Sequence, residues 1–470
     1  MTAQATDSDP DSGPGAGDTT RPPEPVPPLE EFGFAEWRRA AKIGTVITGR
    51  VARRVLREGL RKPARRRAMA EGTVDGFEAL GPTFVKIGQL VASARTSFPA
   101  ELADACLRCL DDVPAFPVAA ARTVIEEDLG APIDTLFREF DDEPLSAASV
   151  AQVHGCVLAD GRAAVVKVQR PDITGRMMVD LRAAFRLASA AAKRSERARV
   201  ASAEDLVRDL YDSTVAELDF RNEARAQAQM RANLSAFGDN RNVVIPEVYQ
   251  QYCGPRVLCM ERMYGVPLDR FDDIRAEHPD SELLIRQLVK AWMEGVIVHG
   301  LFHGDVHAGN LWMLEDGRAA MLDFGIVGRM TPQWRGFAAA LFHASAVGGD
   351  FRSVAEQMRE LGIMGSGDEK SDAAVGRQLA TALAPVLSGQ LAQLEMGKVA
   401  TSLLEFGRRR DAAVPRQMVL MVKQLGYFER YAAALAPGWR LGKDLYLFRN
   451  IFPEEVAARV AAEGIELPAD

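Results

Sequence analysis

Two carboxylic acids and one amide, Asp305, Asn310 and Asp323, constrain this chain more than any other feature. They lie in Leu301–Gly325, LFHGDVHAGNLWMLEDGRAAMLDFG, where glycines punctuate short apolar runs of β character. Asn310 follows Asp305 by five positions, and Asp323 follows Asn310 by thirteen. An amide oxygen and a carboxylate are hard ligands of the kind a divalent cation such as magnesium takes. A second carboxylate can orient or deprotonate an attacking hydroxyl. A strand–turn–strand would present all three rigidly. Taken alone, the stretch also admits a plain hairpin with polar turn residues, so the rest of the chain has to supply context.

The chain has 470 residues, enough for the core of two or three domains. A net charge of -8 argues against a general nucleic-acid binder. Five cysteines without a secretory signal predict a reducing, cytoplasmic setting. Cys106 and Cys109 form a lone CxxC in a helical context, ADACLRCLDD; with no second pair to complete a zinc ribbon, they read as core cysteines. The longest uncharged run, Gln378–Leu394, carries Pro385, Ser388 and Gly389, and it reads as a buried bent helix or helix pair. A membrane span needs about 20 mostly apolar residues.

Residues 1–30 are rich in Pro, Gly, Asp and Thr and are expected to be disordered. The segment 31–70 differs sharply. Between Arg38 and Arg67 there are twelve Lys or Arg and one acid, Glu58. Ile43, Ile47, Val51 and Val55 recur every four residues. Such a basic amphipathic helix suits an anionic membrane surface, or it packs on its own domain. Residues 71–140 read as helices, with Pro99 able to start one of them. They contain Lys86-Ile87-Gly88-Gln89, in which Lys86 and Gln89 share a helix face and could reach one polar partner.

Near residue 144 the period changes to that of strands. PLSAASVAQVHGCVLADGRAAVVKVQRP reads as strand, turn at Ala159-Asp160-Gly161, strand, after a small-residue loop Ser146-Ala147-Ala148-Ser149. Lys167 sits inside the apolar second strand, where an ammonium is costly unless it meets negative charge. Helix follows from Ile173 to about Phe237 and includes Glu217, Asp219 and Glu223; Asp219 and Glu223 are four apart, on one face. Val243–Tyr249 and Arg256–Glu261 read as further strands, with a hinge at Gly265. A helix from Asp280 leads into Leu301–Gly325. Beyond Gly325 the pattern is mostly helical, with breaks at Gly348–Gly349, Gly365–Gly367 and Pro415; the basic run Arg408–Arg410 reads as a solvated helix end.

Lys167, a helix acid, Asp305, Asn310 and Asp323 now stand in the chain order of the protein-kinase fold, on the element types it requires. Over about Gly76 to Gly328 the chain resembles the UbiB/AarF/ADCK family of atypical kinases. The resemblance is carried by LGPTFVKIGQ at 80–89, the KxGQ motif; by SAASVAQVH at 146–154; and by VVKVQRP at 165–171. Glu217-x-Asp219 with Glu223, and Asp323-Phe324-Gly325 followed by Val327-Gly328-Arg329, complete it. The resemblance implies an α+β, bilobal protein-kinase-like fold: a small antiparallel-sheet N-lobe (141–265, with a helical insertion at about 173–237), a helical C-lobe (266–470), and an N-terminal helical KxGQ extension.

It further implies ATP and Mg2+ as cofactors. Lys167 would contact the phosphates, paired with Glu223. Ala147, Ala148 and Ser149, with Glu261 and Met263 of the hinge, would complete the nucleotide site. Asn310 and Asp323 would hold magnesium, and Asp305 would be the catalytic acid. Lys86 and Gln89 would fold over the site as a cover, close to Glu217 and Asp219. Such a cover obstructs protein substrates and suits ATPase activity or a small or lipidic acceptor. The family is tied to quinone and isoprenoid-lipid metabolism at membranes, which implies a peripheral position at the cytoplasmic face, with residues 38–67 as the contact.

The chain departs from the family in its catalytic loop, usually Asp-Pro-His-Pro-Gly-Asn and here Asp305-Val306-His307-Ala308-Gly309-Asn310. Losing two prolines is expected to loosen the loop. Ser146 stands where alanine is common, and the C-terminal membrane helices of some relatives are not expected here. Three rival readings remain. One is an ATP-gated, pseudokinase-like lipid chaperone or scaffold. A second is a soluble small-molecule phosphotransferase, which the KxGQ extension disfavours. The third is a metal-dependent hydrolase using His303, Asp305 and His307, which would leave Lys167 without a role.

Overall fold

A computed structural model describes residues 26–58, 62–93, 98–110, 114–194, 203–278, 280–344, 351–362, 373–378, 380 and 416–468. Most of the acidic tail, the run Gln378–Leu394 apart from its first residues, the breaks at Gly348–Gly349, Gly365–Gly367 and Pro415, and Arg408–Arg410 lie outside these residues. The chain forms two compact units, Met1–Asn222 with Tyr249–Glu261, and Glu223–Val248 with Arg262–Asp470.

The first unit holds a four-stranded antiparallel sheet. Its strands, in spatial order, are Phe137–Ala147, Ala151–Leu158, Ala163–Gln169 and Val257–Glu261. The turn between the second and third strands needs Gly161, whose φ is 88°. Around the sheet's sequence neighbours lie helices Phe34–Glu58, Lys62–Leu80, Pro82–Ser93, Val118–Leu129, Ile173–Arg194 and Ala203–Glu217. The apolar stripe of the Phe34–Glu58 helix takes the second of its two expected courses, packing on its own domain. Ile43 is buried, and the stripe through Ile47 and Val51 lies on Gly76 and Gly72 of the next helix. A Cβ on Gly72 would stand 2.6 Å from Val51 Cα, so glycine is what permits the close approach. The apolar stripe is therefore an internal seam. Arg39 and Arg54 are also engaged within the unit, by Asp180 and by Asp75 with Glu58. What the helix turns outward is Phe34 (73% exposed), Trp37 (60%) and Leu56 (82%), together with exposed Arg38, Lys42, Arg50, Arg53 and Arg57.

The cysteines behave as core residues. Cys106 and Cys109 are buried in the turn Cys106–Leu110 and carry free thiols. The hydrogen bond with the Cys109 thiol, and then burial, push the Cys106 ionisation up, which makes it unreactive.

The second unit is built on helix Ser281–Glu294, whose side chains are nearly all buried; Asp280 caps it by accepting from Leu283 N at 3.3 Å. The helix relaxes into a wider turn, Gly295–His299, and stops at Gly300 in the left-handed region (φ 68°). Two small sheets follow. Leu301–His303 pairs antiparallel with Val327–Arg329. Leu311–Leu314 and Ala319–Met321 form a hairpin flanked by Gly265–Pro267 and Val243–Val244. The expected strand Val243–Tyr249 is thus only two residues long. It pairs in parallel with Ala319–Ala320, not with the first unit's sheet, and Pro246 ends it. Helices Pro332–His343, Arg352–Glu360, Arg416–Leu435 and Pro453–Glu463 complete the core around Trp292, Phe302, Phe428 and Tyr446. No helix among the described residues is long and apolar enough to cross a membrane.

Candidate active site

The loop from Gly304 to Asn310 leaves one strand and enters another, and its geometry is set by buried polar contacts. His303 is fully buried and packs against Phe324 with the rings tilted, centroids 4.9 Å apart. Its Nε2 lies 2.8 Å from the Leu322 carbonyl, and its Nδ1 accepts from Asp305 N at 3.1 Å. These contacts require the neutral Nε2–H tautomer, and burial holds the imidazole below its ordinary pKa. His303 therefore fixes the backbone of Asp305 and joins it to the strand that delivers Asp323. With both ring nitrogens engaged by backbone, it has no lone pair for a metal, which removes the hydrolase reading. Among the described residues no group of three or more His, Cys, Asp or Glu is arranged to hold a metal ion.

Asn310 is buried and donates from Nδ2 to the Asp305 carbonyl at 3.0 Å. This leaves its amide oxygen, an atom of the kind a hard cation takes, outside that bond. Asp323 has φ 53°, in the left-handed region that L residues enter at a cost. Its Oδ1 accepts from Gly325 N at 3.1 Å, the local turn that makes the conformation tolerable for aspartate. Glu223, in the first turn of helix Phe220–Ala236, belongs to the same unit. A Cβ on Gly325 would lie 3.2 Å from Asp323 Oδ1 and 3.6 Å from Glu223 Oε2. Amide and carboxylate oxygens in this number fit magnesium, which usually keeps waters and phosphate oxygens in its remaining positions.

The two missing prolines are met by restraints of another kind. Val306 N donates to Gln424 Oε1 at 2.9 Å, and Tyr431 OH donates to Val306 O at 2.9 Å. Gln424, Tyr431 and Val306 are all buried. Both ends of the residue following Asp305 are thus gripped by helix Arg416–Leu435. Lys423 of the same helix reaches Asp305 Oδ1 at 3.5 Å, and His307 Nε2 lies 3.7 Å from Oδ2. Sequence reading missed Gln424, Tyr431 and Lys423. Their only signal was polar side chains set among the apolar residues of helix Arg416–Leu435.

In the first unit Lys167 is in register with Val153 and Leu258 on the central strand, and its ammonium lies 5.4 Å from the Phe220 ring centre. The small-residue loop is pinned by Arg170, whose Nε donates to Ala148 O at 2.9 Å and whose Nη2 donates to Pro114 O at 2.7 Å. Ala148 N donates to Ala151 O at 2.8 Å. Lys86 forms an ion pair with Glu217. Gln89 donates to the Cys109 carbonyl at 2.8 Å. Asp219 and Glu223 do not share one continuous helix. The helix ending at Glu217 breaks at Leu218–Asp219, where Asp219 caps the next one by accepting from Arg221 N at 3.1 Å. The Arg221 guanidinium also holds its carboxylate. Glu261 ends its strand opposite Ala164; Met263 lies just beyond, in the second unit.

A small antiparallel sheet bearing a central lysine, and a helical unit bearing Asp305, Asn310 and Asp323, define a protein-kinase-like protein. The ABC1 atypical kinase-like domain matches residues 108–358. An uncharacterized protein of Mycobacterium tuberculosis is 34% identical over 423 residues, 89% of this chain and 86% of that protein. A probable protein kinase UbiB of Aeromonas salmonicida is 34% identical over 398 residues, 83% and 71% of the two chains. An uncharacterized aarF domain-containing protein kinase, chloroplastic, of Arabidopsis thaliana is 32% identical over 393 residues, 78% and 72%. A solved erythromycin complex of a Mycobacterium tuberculosis protein aligns with a TM-score of 0.44 at 22% identity, over 74% of this chain and 87% of that one. The chain belongs to the ABC1 family of atypical kinases, the family of UbiB and AarF.

Proposed function

We propose that the protein is an ATP- and Mg2+-dependent phosphotransferase or ATPase acting on, or regulating, lipid or isoprenoid-quinone metabolism at a membrane surface. The observation that carries the reading is the arrangement of Asp305, Asn310 and Asp323 around one hydrogen-bonded loop. Asn310 and Asp323 would hold magnesium, which when bound neutralises phosphate charge. Lys167 would take the phosphates, with Glu223 as its partner. Ala147, Ala148 and Ser149 would line the phosphates, and Glu261 and Met263 would meet the base. Asp305 orients the attacking hydroxyl or water and receives its proton. Lys86, Gln89, Glu217 and Asp219 would form the regulatory cover.

The membrane contact is assigned to the outward face of the Phe34–Glu58 helix, since exposed Phe34, Trp37 and Leu56 lie beside exposed basic residues. Deleting residues 38–67 would remove an internal seam as well, so outward substitutions are the cleaner perturbation. Phosphate release from ATP is measured with and without phosphatidylglycerol vesicles, alongside vesicle sedimentation. The wild type should sediment and turn over ATP faster with vesicles; Phe34→Glu/Trp37→Glu/Leu56→Glu should lose both effects and keep its turnover in solution. Nucleotide binding without turnover would favour the ATP-gated chaperone. Turnover of a soluble acceptor, indifferent to vesicles, would favour the small-molecule phosphotransferase.

A further inference from the structure

Lys423 is 118 residues from Asp305 in sequence, yet its ammonium stands 3.5 Å from Asp305 Oδ1. Its helix is seated on the catalytic loop. The next residue, Gln424, accepts from Val306 N; Tyr431, two turns on, donates to Val306 O; and Leu420 stands 3.1 Å from where a Cβ on Gly304 would be. Lys423 is thus placed by contacts other than its own. The side chain is 38% exposed, and an ion pair of that exposure adds about 1 kcal/mol or less to stability. Holding the fold together is therefore a poor account of it. Among the described residues it is the one Lys or Arg paired with Asp305; His307, on the other oxygen, carries charge only when protonated.

The chemistry at this position gives a lysine a task. The acid holds the attacking oxygen, and reacting atoms stand about 3–3.5 Å apart at attack. Oxygens of the transferred phosphoryl group must then come within a few ångströms of the Asp305 carboxylate. Charge on those oxygens is what a kinase has to stabilise, and a cation there acts on the transition state. An ammonium on a four-carbon stem has three donors, of which one is directed at Asp305.

We propose that Lys423 contacts the transferred phosphoryl group and stabilises its charge during transfer. In the step, the bond from the terminal phosphorus to the bridging oxygen of ATP breaks, and ADP departs with the electron pair. A new P–O bond forms to the acceptor hydroxyl or water, whose proton passes to Asp305. Lys423 keeps its protons throughout. The proposal rests on the phosphotransferase reading above and adds to it a residue outside the family motifs.

The test is steady-state phosphate release from ATP and Mg2+ by the full chain, with ADP affinity by calorimetry and a thermal melt. Lys423→Met should lower kcat roughly 10²-fold. Its KM for ATP and its Kd for ADP, which lacks the transferred group, should stay within about threefold. Its melting point should match the wild type, and Lys423→Arg should recover most of the rate. Should Lys423→Met fold poorly, Lys423→Gln takes its place with the same expectation. Wild-type kcat in the neutral variants overturns the proposal, as does a loss of rate matched by lost ADP binding and lower melting. A wild type that releases no phosphate refutes instead the phosphotransferase reading on which the proposal stands.

Discussion

Val306→Pro removes the amide proton that Gln424 accepts; Gln424→Leu removes the acceptor. Donor and acceptor are 2.9 Å apart, and both residues are fully buried. A buried polar group left without its partner costs about 1–3 kcal/mol, whereas removing both partners together is close to neutral. Each single variant should therefore lose about 1–3 kcal/mol of stability in the second unit, and the double variant should fall short of the sum by a similar amount. Side effects cancel in this cycle. The ring constraint of proline occurs in both the single and the double variant. So does the loss of the Gln424 Nε2 contact to Leu420 O, 3.1 Å, a carbonyl inside its own helix. The assay is urea unfolding of the four proteins by tryptophan fluorescence, since Trp292, Trp312, Trp334 and Trp439 all lie in the second unit. Because Val306 follows Asp305 directly, phosphate release should fall in each single variant and partly return in the double. Strict additivity in both measurements would refute the view that this hydrogen bond restrains the loop.

Two further predictions concern the first unit. A Cβ on Gly88 would overlap Cys109 Sγ and stand 3.1 Å from Cys109 Cβ. Gly88→Ala should cost about 1–3 kcal/mol by overpacking and lower the melting temperature, with Cys109→Ala restoring part of it; an unchanged melt would show that the turn yields freely. His154 lies 2.8 Å from the Asp141 carbonyl through Nδ1 and 2.8 Å from the Gln152 amide nitrogen through Nε2, while Gln152 Oε1 is taken by Phe116 N. A second ring proton would face a donor, and burial, the larger cause, already holds this imidazole below its ordinary 6.5. The unfolded chain takes up that proton as pH falls below 6.5 and the folded chain does not. The stability His154 contributes is therefore complete above 6.5 and is lost as pH drops below it. An NMR titration should find the His154 midpoint below 6.5, and a midpoint at the ordinary value would contradict this reading of its burial and partners.

Much of the site could be read from residues alone, because its chemistry is local. The order Lys167, Asp305, Asn310, Asp323 is visible without coordinates, as are the turn at Gly161 and the helix starting at Asp280. Other features depend on partners far away in sequence. Apolar periodicity over 43–55 says that one face seeks cover but not what covers it, and the cover is a glycine-lined helix of the same unit. The break at Leu218–Asp219 interrupts a stretch whose composition stays helical throughout; the capping oxygen of Asp219 decides it. Val243–Val244 finds its strand partner beyond residue 300. The absence of prolines at 306 and 308 suggested a loose loop, since no local signal announces an acceptor 118 residues downstream.

The central claim is that Asp305, Asn310 and Asp323 work as one phosphoryl-transfer site, and phosphate release from ATP and Mg2+ tests it most directly. Asp323→Asn is the sharpest variant, because asparagine tolerates the backbone at φ 53° and only the charge is lost. The account predicts turnover by the wild type and a fall of roughly 10²-fold or more in Asp323→Asn and in Asp305→Asn, each still folded. A silent wild type, or variants that turn over ATP at the wild-type rate, would contradict it.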